Sequence, residues 1–185
     1  MQNSIKKNNF TTKQLVILSL MSAISVVLMM FIRFPWPAAP FLEYEPADVP
    51  ILIATLMYGP YVGLIVTVIV SVIQGLTVSS GSQVIGVIMH ILATGSYVIF
   101  TGVIYKYAKS RKGFFVAIVM GALVSTFIML LCNIWFTPIF MNAPREMVMK
   151  MLVPVILPFN LVKTFVNGIV AGILYGILKK AKIKF

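Results

Sequence analysis

Long apolar runs, separated by short polar segments, constrain this sequence more than any other feature. Hydrophobic residues make up 60% of the 185-residue chain, and its mean hydropathy is +1.02. Charged residues make up only 10%, against about 25% in soluble domains. A membrane-spanning helix needs about 20 predominantly apolar residues. The sequence therefore predicts an all-α integral membrane protein, in which residues 1–185 form a single domain of six transmembrane helices.

Proline, glycine and charged residues divide the apolar runs into six predicted helices. The segment 34–50 contains five prolines, so it cannot form a regular helix. We expect an extracellular loop over 34–47, with Asp48 as the N-cap of the second helix. A second polar loop is predicted over 137–150. The six helices cover about residues 14–33, 48–58, 61–77, 83–105, 113–136 and 151–178, after a polar cytoplasmic tail over 1–13.

The positive charges are distributed as expected for a protein that crosses the membrane several times. With the N-terminus inside, eleven of the fifteen basic residues lie on the cytoplasmic side and three lie outside, which follows the positive-inside rule. Both termini are therefore predicted to be cytoplasmic, and all four acids fall on the outer side. Topology and attraction to anionic membrane lipids account for the net charge of +11 without nucleic acid. The cytoplasmic set is Lys6, Lys7, Lys13, Lys106, Lys109, Arg111, Lys112, Lys179, Lys180, Lys182 and Lys184.

One charged side chain, Lys163, lies in the middle of the last apolar run. Asn160, Lys163 and Asn167 follow the spacing i, i+3, i+7 and therefore share one helical face. A charge at membrane depth costs at least ~2.5–3.5 kcal/mol, so such a residue usually faces a cavity or a partner. Asn133 and Gln83 are predicted to lie near the outer ends of their helices, beneath the acidic and aromatic loop. We therefore predict a solute-binding pocket that opens to the exterior.

Motifs for energy conversion and catalysis are missing. The chain has no G-x-x-x-x-G-K-[ST] phosphate loop and no H-E-x-x-H zinc motif. All acids lie at one predicted surface, so none is placed to relay protons or coordinate sodium across the bilayer, as in a self-sufficient pump or symporter. The single Cys132 excludes a disulfide within the chain, and the single His90 is expected to be packed and hydrogen-bonded. No catalytic residue, metal site or resident cofactor is predicted.

Three classes of function remain open from the residues alone. A substrate-binding protein that depends on a separate energy-converting protein agrees best with two observations: the polar helical face of Asn160, Lys163 and Asn167, and the missing phosphate loop. A small membrane-embedded enzyme that acts on lipid head groups, or a pure assembly protein, would also satisfy the composition.

The sequence resembles the substrate-binding S-components of energy-coupling factor (ECF) vitamin transporters, and most of all their riboflavin-specific members. The resemblance covers nearly the whole chain. Its most specific part is the loop Phe41-Leu42-Glu43-Tyr44-Glu45-Pro46-Ala47-Asp48-Val49-Pro50. The turn Tyr58-Gly59-Pro60 and the segment Asn160-Leu161-Val162-Lys163 add to it.

The resemblance implies a riboflavin uptake protein of the bacterial plasma membrane that works with partners. In the family, an S-component associates with a transmembrane T-component and two ABC-type ATPases, which use the ATP. The first helix carries an Ala-x-x-x-Ala-like docking motif, which Ser19 and Ala23 match here with two small residues. Thiamine and folate are the alternative substrates within the same family.

The resemblance also implies how a flavin would be held. The flat isoalloxazine ring needs aromatic walls, and its pyrimidine edge needs amide and ammonium groups. The ribityl hydroxyls would bond to acids or amides. The expected wall residues are Phe41, Leu42, Tyr44, Trp36, Trp135 and Phe159, and the expected polar contacts are Glu43, Gln83, Asn133, Asn160, Lys163 and Asn167.

Overall fold

The computed structural model describes residues 10–77 and 83–181. The predicted basic residues Lys6, Lys7, Lys182 and Lys184 and the predicted loop over 78–82 lie outside the described residues. The described part of the chain forms seven α-helices, one π-helical turn and one β-hairpin. In chain order these are α1 (Thr12–Phe31), β1 (Phe34–Trp36), β2 (Ala39–Tyr44), α2 (Asp48–Tyr58), α3 (Pro60–Thr77), α4 (Gln83–Tyr107), α5 (Arg111–Met141), α6 (Arg145–Met151), the π-helical turn Leu152–Ile156 and α7 (Leu157–Lys180).

The proline-rich segment after α1 folds as an antiparallel hairpin, so the expectation of an all-α chain is wrong in this segment. Phe34 pairs with Tyr44, and Pro35 pairs with Glu43. The register shifts between Pro35 and Trp36, next to a residue that has no N–H to donate to the ladder. The prolines thus exclude a regular helix here but are compatible with a short hairpin.

The short helix α2 lies at the centre of the bundle. Every residue from Asp48 to Leu56 is buried, against α1, α3, α4 and α7. The helix ends at Gly59, which has a φ of 96°, and Pro60 then begins α3. At roughly 1.5 Å per residue, its 11 residues extend about 16 Å, about half of the ~30 Å hydrocarbon core.

The N-cap prediction for Asp48 is wrong. Ala47 occupies the cap position without a side-chain hydrogen bond, and Asp48 is the first residue of α2. Its carboxylate instead accepts hydrogen bonds from Thr94 on α4 and Asn167 on α7. The helix begins without a side-chain cap because Ala47, at the cap position, has no polar side chain.

The predicted loop over 137–150 is largely helical. The helix α5 continues to Met141 and ends at Asn142, whose left-handed conformation is a common helix terminus. A new helix starts three residues later and runs through a π-helical turn into α7. Pro154 and Pro158 lack the N–H groups that a regular helix needs here, which accounts for the widened turn.

Five helices in the described residues are long and apolar enough to span a membrane. They carry large apolar side chains on their outward faces, such as Leu20, Phe127 and Ile173. Exposed apolar surface of this extent is characteristic of a membrane-facing protein. Two glycines of α7 pack closely on neighbouring helices: a Cβ at Gly168 would meet Tyr97, and one at Gly172 would meet Phe114.

Candidate functional site

A cavity of about 350 Å³ lies between the hairpin and the adjacent ends of α3, α4, α5 and α7, which we call the hairpin end of the bundle. One part of its wall is apolar and the other carries charged and amide groups. Its apolar lining is Pro40, Phe41, Leu42, Ile85, Gly86, Met89, Met129, Phe140 and Phe159. Its polar lining is Arg33, Glu43, Glu45, Gln74, His90, Asn133, Thr137 and Lys163.

An ion pair between the hairpin segment and α7 forms the centre of the polar wall. Lys163 Nζ donates to Glu45 Oε1 at 3.2 Å, and the Glu45 side chain is only 5% exposed. Gln74 Nε2 on α3 donates to the same oxygen at 3.2 Å. Lys163 therefore faces a cavity and a partner, as its position in an apolar run predicts. A buried carboxylate with two donors is stabilised against the cost of leaving water.

Asn167 joins the hairpin segment to α2 beneath the cavity. Its amide nitrogen donates to the Glu45 carbonyl at 3.1 Å and to Asp48 Oδ2 at 3.2 Å. The Tyr44 hydroxyl donates to Asn167 Oδ1 at 3.0 Å. Burial raises the pKa of Tyr44, while the Lys163 charge opposes the rise and Asp48 adds to it. The hydroxyl therefore remains a donor at neutral pH.

Asp48 continues this network into α4. Thr94 Oγ1 donates to Asp48 Oδ1 at 2.8 Å, and His90 Nε2 lies 3.4 Å from the same oxygen. His90 Nδ1 is also 2.7 Å from Ser71 Oγ on α3. The prediction that His90 is packed and hydrogen-bonded is confirmed, but it does have a nearby acid, which the chain supplies from 42 positions upstream.

The remaining two asparagines bond mainly within their own helices. Asn133 lines the cavity, donates to the Met129 carbonyl at 2.8 Å and accepts from Thr137 Oγ1 at 2.8 Å. Asn160 is buried, donates to the Ile156 carbonyl at 2.8 Å and is absent from the cavity lining. Asn133 thus lies where a solute could reach it, and Asn160 lies behind the wall.

The aromatic residues expected at the site divide into two groups. Phe41 and Phe159 line the cavity, and Trp36 supports Phe159 from behind through an edge-on contact of 5.5 Å between ring centroids. Tyr44 stacks on Phe34 outside the lining. Trp135 is 62% exposed and lies 4.4 Å from the Arg145 guanidinium, so it faces away from the cavity.

Five polar lining residues were not identified from the sequence as site residues: Arg33, Glu45, Gln74, His90 and Thr137. A sequence signal exists for two of them: Glu45 lies within the most specific loop motif, and Arg33 directly precedes the proline-rich segment. Gln74 and His90 give no such signal because their position depends on how α3 and α4 pack. Gln83 begins α4, and its side chain lies outside the described residues.

Several polar atoms of the lining retain unused hydrogen-bonding capacity. Arg33 bonds closely to Glu43 through its terminal nitrogen, while its Nε and Glu45 Oε2 face each other at 4.0 Å. In the described part of the chain, these two atoms and Gln74 Oε1 are buried without a hydrogen-bond partner. Buried polar atoms normally find partners, so this group suits a ligand that both donates and accepts.

The two small residues of the predicted docking motif are exposed. Ser19 and Ala23 lie on the outward face of α1, while Ser22 and Ser25 face the bundle and are buried. The outward face therefore has a shallow strip where another helix could approach closely.

Known proteins place this fold and sequence in a defined family. Residues 13–175 match the family described as ECF transporter, substrate-specific component. The chain is 34% identical over 123 residues to the riboflavin transporter FmnP of Bacillus subtilis (strain 168), with 65% of this chain and 64% of FmnP covered. It is 33% identical over 129 residues to the riboflavin transporter RibU of Staphylococcus aureus (strain TCH60), with 69% and 67% covered. The matches thus span about two thirds of each relative.

The fold agrees with the sequence match. A solved structure of the S component of a bacterial ECF transporter superposes with a TM-score of 0.80 at 31% identity. The superposition covers 93% of this chain and 98% of that structure. The chain therefore belongs to the family of substrate-specific components of ECF transporters, which are transport proteins and not enzymes.

Proposed function

We propose that this protein is a riboflavin-binding S-component that mediates riboflavin uptake as part of an ATP-driven importer. The observation that carries the proposal is the cavity at the hairpin end, which is part apolar and part polar, in a chain related to two riboflavin transporters. Its volume of about 350 Å³ falls within the range of about 300–1,000 Å³ common for small-molecule sites.

The two halves of the wall match the two halves of riboflavin. The flat ring system would pack between Phe41 and Phe159, with methionine side chains filling the space around it. The ribityl hydroxyls both donate and accept, which suits Arg33 Nε and Glu45 Oε2 on the polar side. Riboflavin carries no net charge, and the charged groups that it would meet are already paired with each other.

We assign different roles to the polar residues predicted at the site. Lys163 has three N–H donors and gives one to Glu45, so two are available to the pyrimidine edge of the flavin. Asn133 would offer its remaining amide hydrogen in the same way. Asn160, Asn167 and Tyr44 lie behind the wall and would position the residues that touch the ligand.

The membrane arrangement completes the proposal. We place the protein in the cell membrane with six spans, both termini in the cytoplasm and the hairpin end outside. The five long helices supply five spans. We assign the sixth crossing to α2, which is shorter than a lipid-exposed span but is enclosed by α1, α3, α4 and α7.

The energy would come from partners. We propose that a transmembrane T-component docks on α1 at Ser19 and Ala23, and that two ABC-type ATPases hydrolyse ATP. The exposure of both small residues on an otherwise apolar face supports this assignment.

Purification and titration would test the substrate. We expect a purified protein that is yellow or that quenches added riboflavin fluorescence at a one-to-one ratio, without competition from thiamine or folate. Lys163→Ala should weaken riboflavin binding by about tenfold to a hundredfold, since hydrogen bonds from a charged donor are strong. Lys150→Ala, which removes an exposed lysine on α6, is the matched control. A colourless protein that does not quench riboflavin fluorescence would overturn the assignment.

Uptake in cells would test the docking surface separately. Ala23→Leu should reduce riboflavin uptake while leaving binding to the purified protein unchanged, because the larger side chain fills the shallow strip on α1 without touching the cavity. Val116→Leu changes an exposed position on α5 and serves as the control. Normal uptake by Ala23→Leu would count against α1 as the docking helix.

A further inference from the structure

A second cavity, of about 440 Å³, lies at the end of the bundle opposite the hairpin. It is formed by the C-terminal ends of α4 and α7, the N-terminal end of α5 and the turn between α4 and α5. We call this region the turn end. None of its lining residues takes part in the riboflavin site, so its function must be argued separately.

The wall between these helices is aromatic and held in a fixed arrangement. Tyr105 packs edge-on against Phe114 and Tyr175, each at 5.9 Å between ring centroids. The hydroxyls of Tyr105 and Tyr175 lie 3.3 Å apart. Gly176 lines the cavity, and a Cβ placed there would meet no heavy atom within 4 Å. The cavity thus has an aromatic wall beside an open groove on α7.

The same cavity has a strong and uncompensated positive charge. Lys109, Arg111, Lys179 and Lys180 line it. The chain has only four acids, Glu43, Glu45, Asp48 and Glu146, and all of them lie elsewhere in the described structure. Four cations converging on one concave surface without a carboxylate create a site for an anion.

The turn between α4 and α5 fixes two of these cations in place. Ser110 caps α5 by accepting from the Gly113 N–H at 2.9 Å. A side chain at Gly113 would collide with the Ala108 carbonyl, so the close turn depends on glycine there. Lys109 and Arg111 flank Ser110 and are therefore anchored on a tight turn at the cavity edge.

We propose that the turn-end cavity binds the phosphodiester head group of an anionic phospholipid. The cavity lies at the ends of apolar helices, and Ile173 and Ile177 beside it are exposed on α7. Tyrosines with lysines and arginines are the residues that favour the membrane interface, where anionic head groups are found. The cations would bind the phosphate, and an acyl chain would follow the groove at Gly176.

Native mass spectrometry of the full-length protein would test this inference. The protein is equilibrated in micelles with equal amounts of palmitoyl-oleoyl phosphatidylglycerol and phosphatidylcholine, and the lipid that stays bound is counted. We expect phosphatidylglycerol to dominate. The pair Arg111→Gln and Lys179→Gln should lower its retention by about tenfold, as expected for losing charge-assisted contacts. The pair Lys106→Gln and Lys112→Gln removes equal charge outside the lining and should change retention by less than about twofold.

A second variant tests the cavity without changing its charge. Gly176→Leu should fill the groove and reduce phosphatidylglycerol retention, and it introduces no clash at Cβ. It also carries the test if the charge variant fails to fold. Equal losses in both charge pairs would show only general attraction to the protein and overturn the site. Unchanged retention in Gly176→Leu, or displacement of the lipid by millimolar inorganic phosphate, would also overturn it, the latter in favour of a soluble anion.

Discussion

A cavity lies at each end of α4, α5 and α7. The two cavities are similar in size, but the charges that line them are paired at one end and all positive at the other. At the hairpin end, Glu45 pairs with Lys163, and Glu43 pairs with Arg33. At the turn end, four cations line the cavity and no acid accompanies them. The same three helices therefore present one neutralised polar wall and one strongly positive wall.

The difference explains which ligand each end suits. Charges that are paired and hydrogen-bonded have already offset most of their desolvation cost, so a neutral polar solute can bind them without adding a charge to the interior. Unpaired cations at an interface instead gain most from a ligand that brings negative charge. This contrast is the reason for proposing a neutral vitamin at one end and an anionic head group at the other.

Removing the buried acid Asp48 should lower the stability of the protein more than any other substitution considered for the two ends. Asp48 accepts from Thr94 and Asn167 and lies beside His90. Asp48→Ala should therefore lower the free energy of unfolding by about 3–5 kcal/mol, because it leaves buried polar partners without their acceptor. Thermal or denaturant unfolding in detergent, followed by circular dichroism, measures the loss. Glu146→Ala removes an exposed acid and should change stability by less than about 0.5 kcal/mol; similar values for both variants would contradict the network.

A double-mutant cycle would sharpen the contrast between paired and unpaired charge. Glu45→Gln and Lys163→Met should each lower stability by about 1.5–3 kcal/mol, and their coupling should be favourable within the usual range of about 0.5–3 kcal/mol. The equivalent cycle at the turn end, with Arg111→Gln and Lys179→Gln, should show no favourable coupling, because both residues are cations. Additive effects of Glu45→Gln and Lys163→Met would show that the ion pair contributes nothing specific.

The sequence is sufficient to predict the membrane helices and the fact that Lys163 faces a cavity and a partner. Both rest on local information: apolar runs of spanning length, and a charge within one of them. The resemblance also leads to the right family. The hairpin between α1 and α2 is only half predicted, since five prolines exclude a helix but do not specify the pairing of Phe34 with Tyr44.

The partners of the polar residues could not be predicted, because they come from distant parts of the chain. Glu45 meets Lys163 across 118 positions, and Asn167 meets Asp48 across 119. Asn160 and Asn167 share a face with Lys163, yet they bond behind the cavity wall, since helical spacing fixes a direction and not a partner. Polar residues and proline predict a loop over 137–150, whereas tertiary packing overrides that local signal and extends helix through most of the segment.

Tyr44 offers a smaller and pH-dependent test of the hairpin end. Tyr44→Phe removes the donor to Asn167 and should cost about 0.5–1.5 kcal/mol in unfolding. Because burial raises the pKa of Tyr44 above its unfolded value of 10.0, its contribution is complete below pH 10 and is lost as pH rises further. The difference between wild type and variant should therefore be equal at pH 6 and pH 8 and should shrink above pH 10.

A matched tyrosine controls for that measurement. Tyr61 on α3 is 72% exposed, so Tyr61→Phe should have little effect on stability at any of these pH values. An equal loss in both variants would mean that the Tyr44 hydroxyl makes no specific contribution.

The smallest expected effect concerns two glycines one turn apart at the turn end. Gly176→Ala should stabilise the protein by about 0.5–1 kcal/mol, because alanine favours the helix and its Cβ has open space. Gly172→Ala has the same propensity gain but places a Cβ 2.5 Å from Phe114 Cζ, so the ring must shift against Tyr105. We expect no net gain there, measured by thermal unfolding in detergent. An equal gain at both positions would show that the aromatic wall is loose, and would remove the fixed surface on which an anionic head group depends.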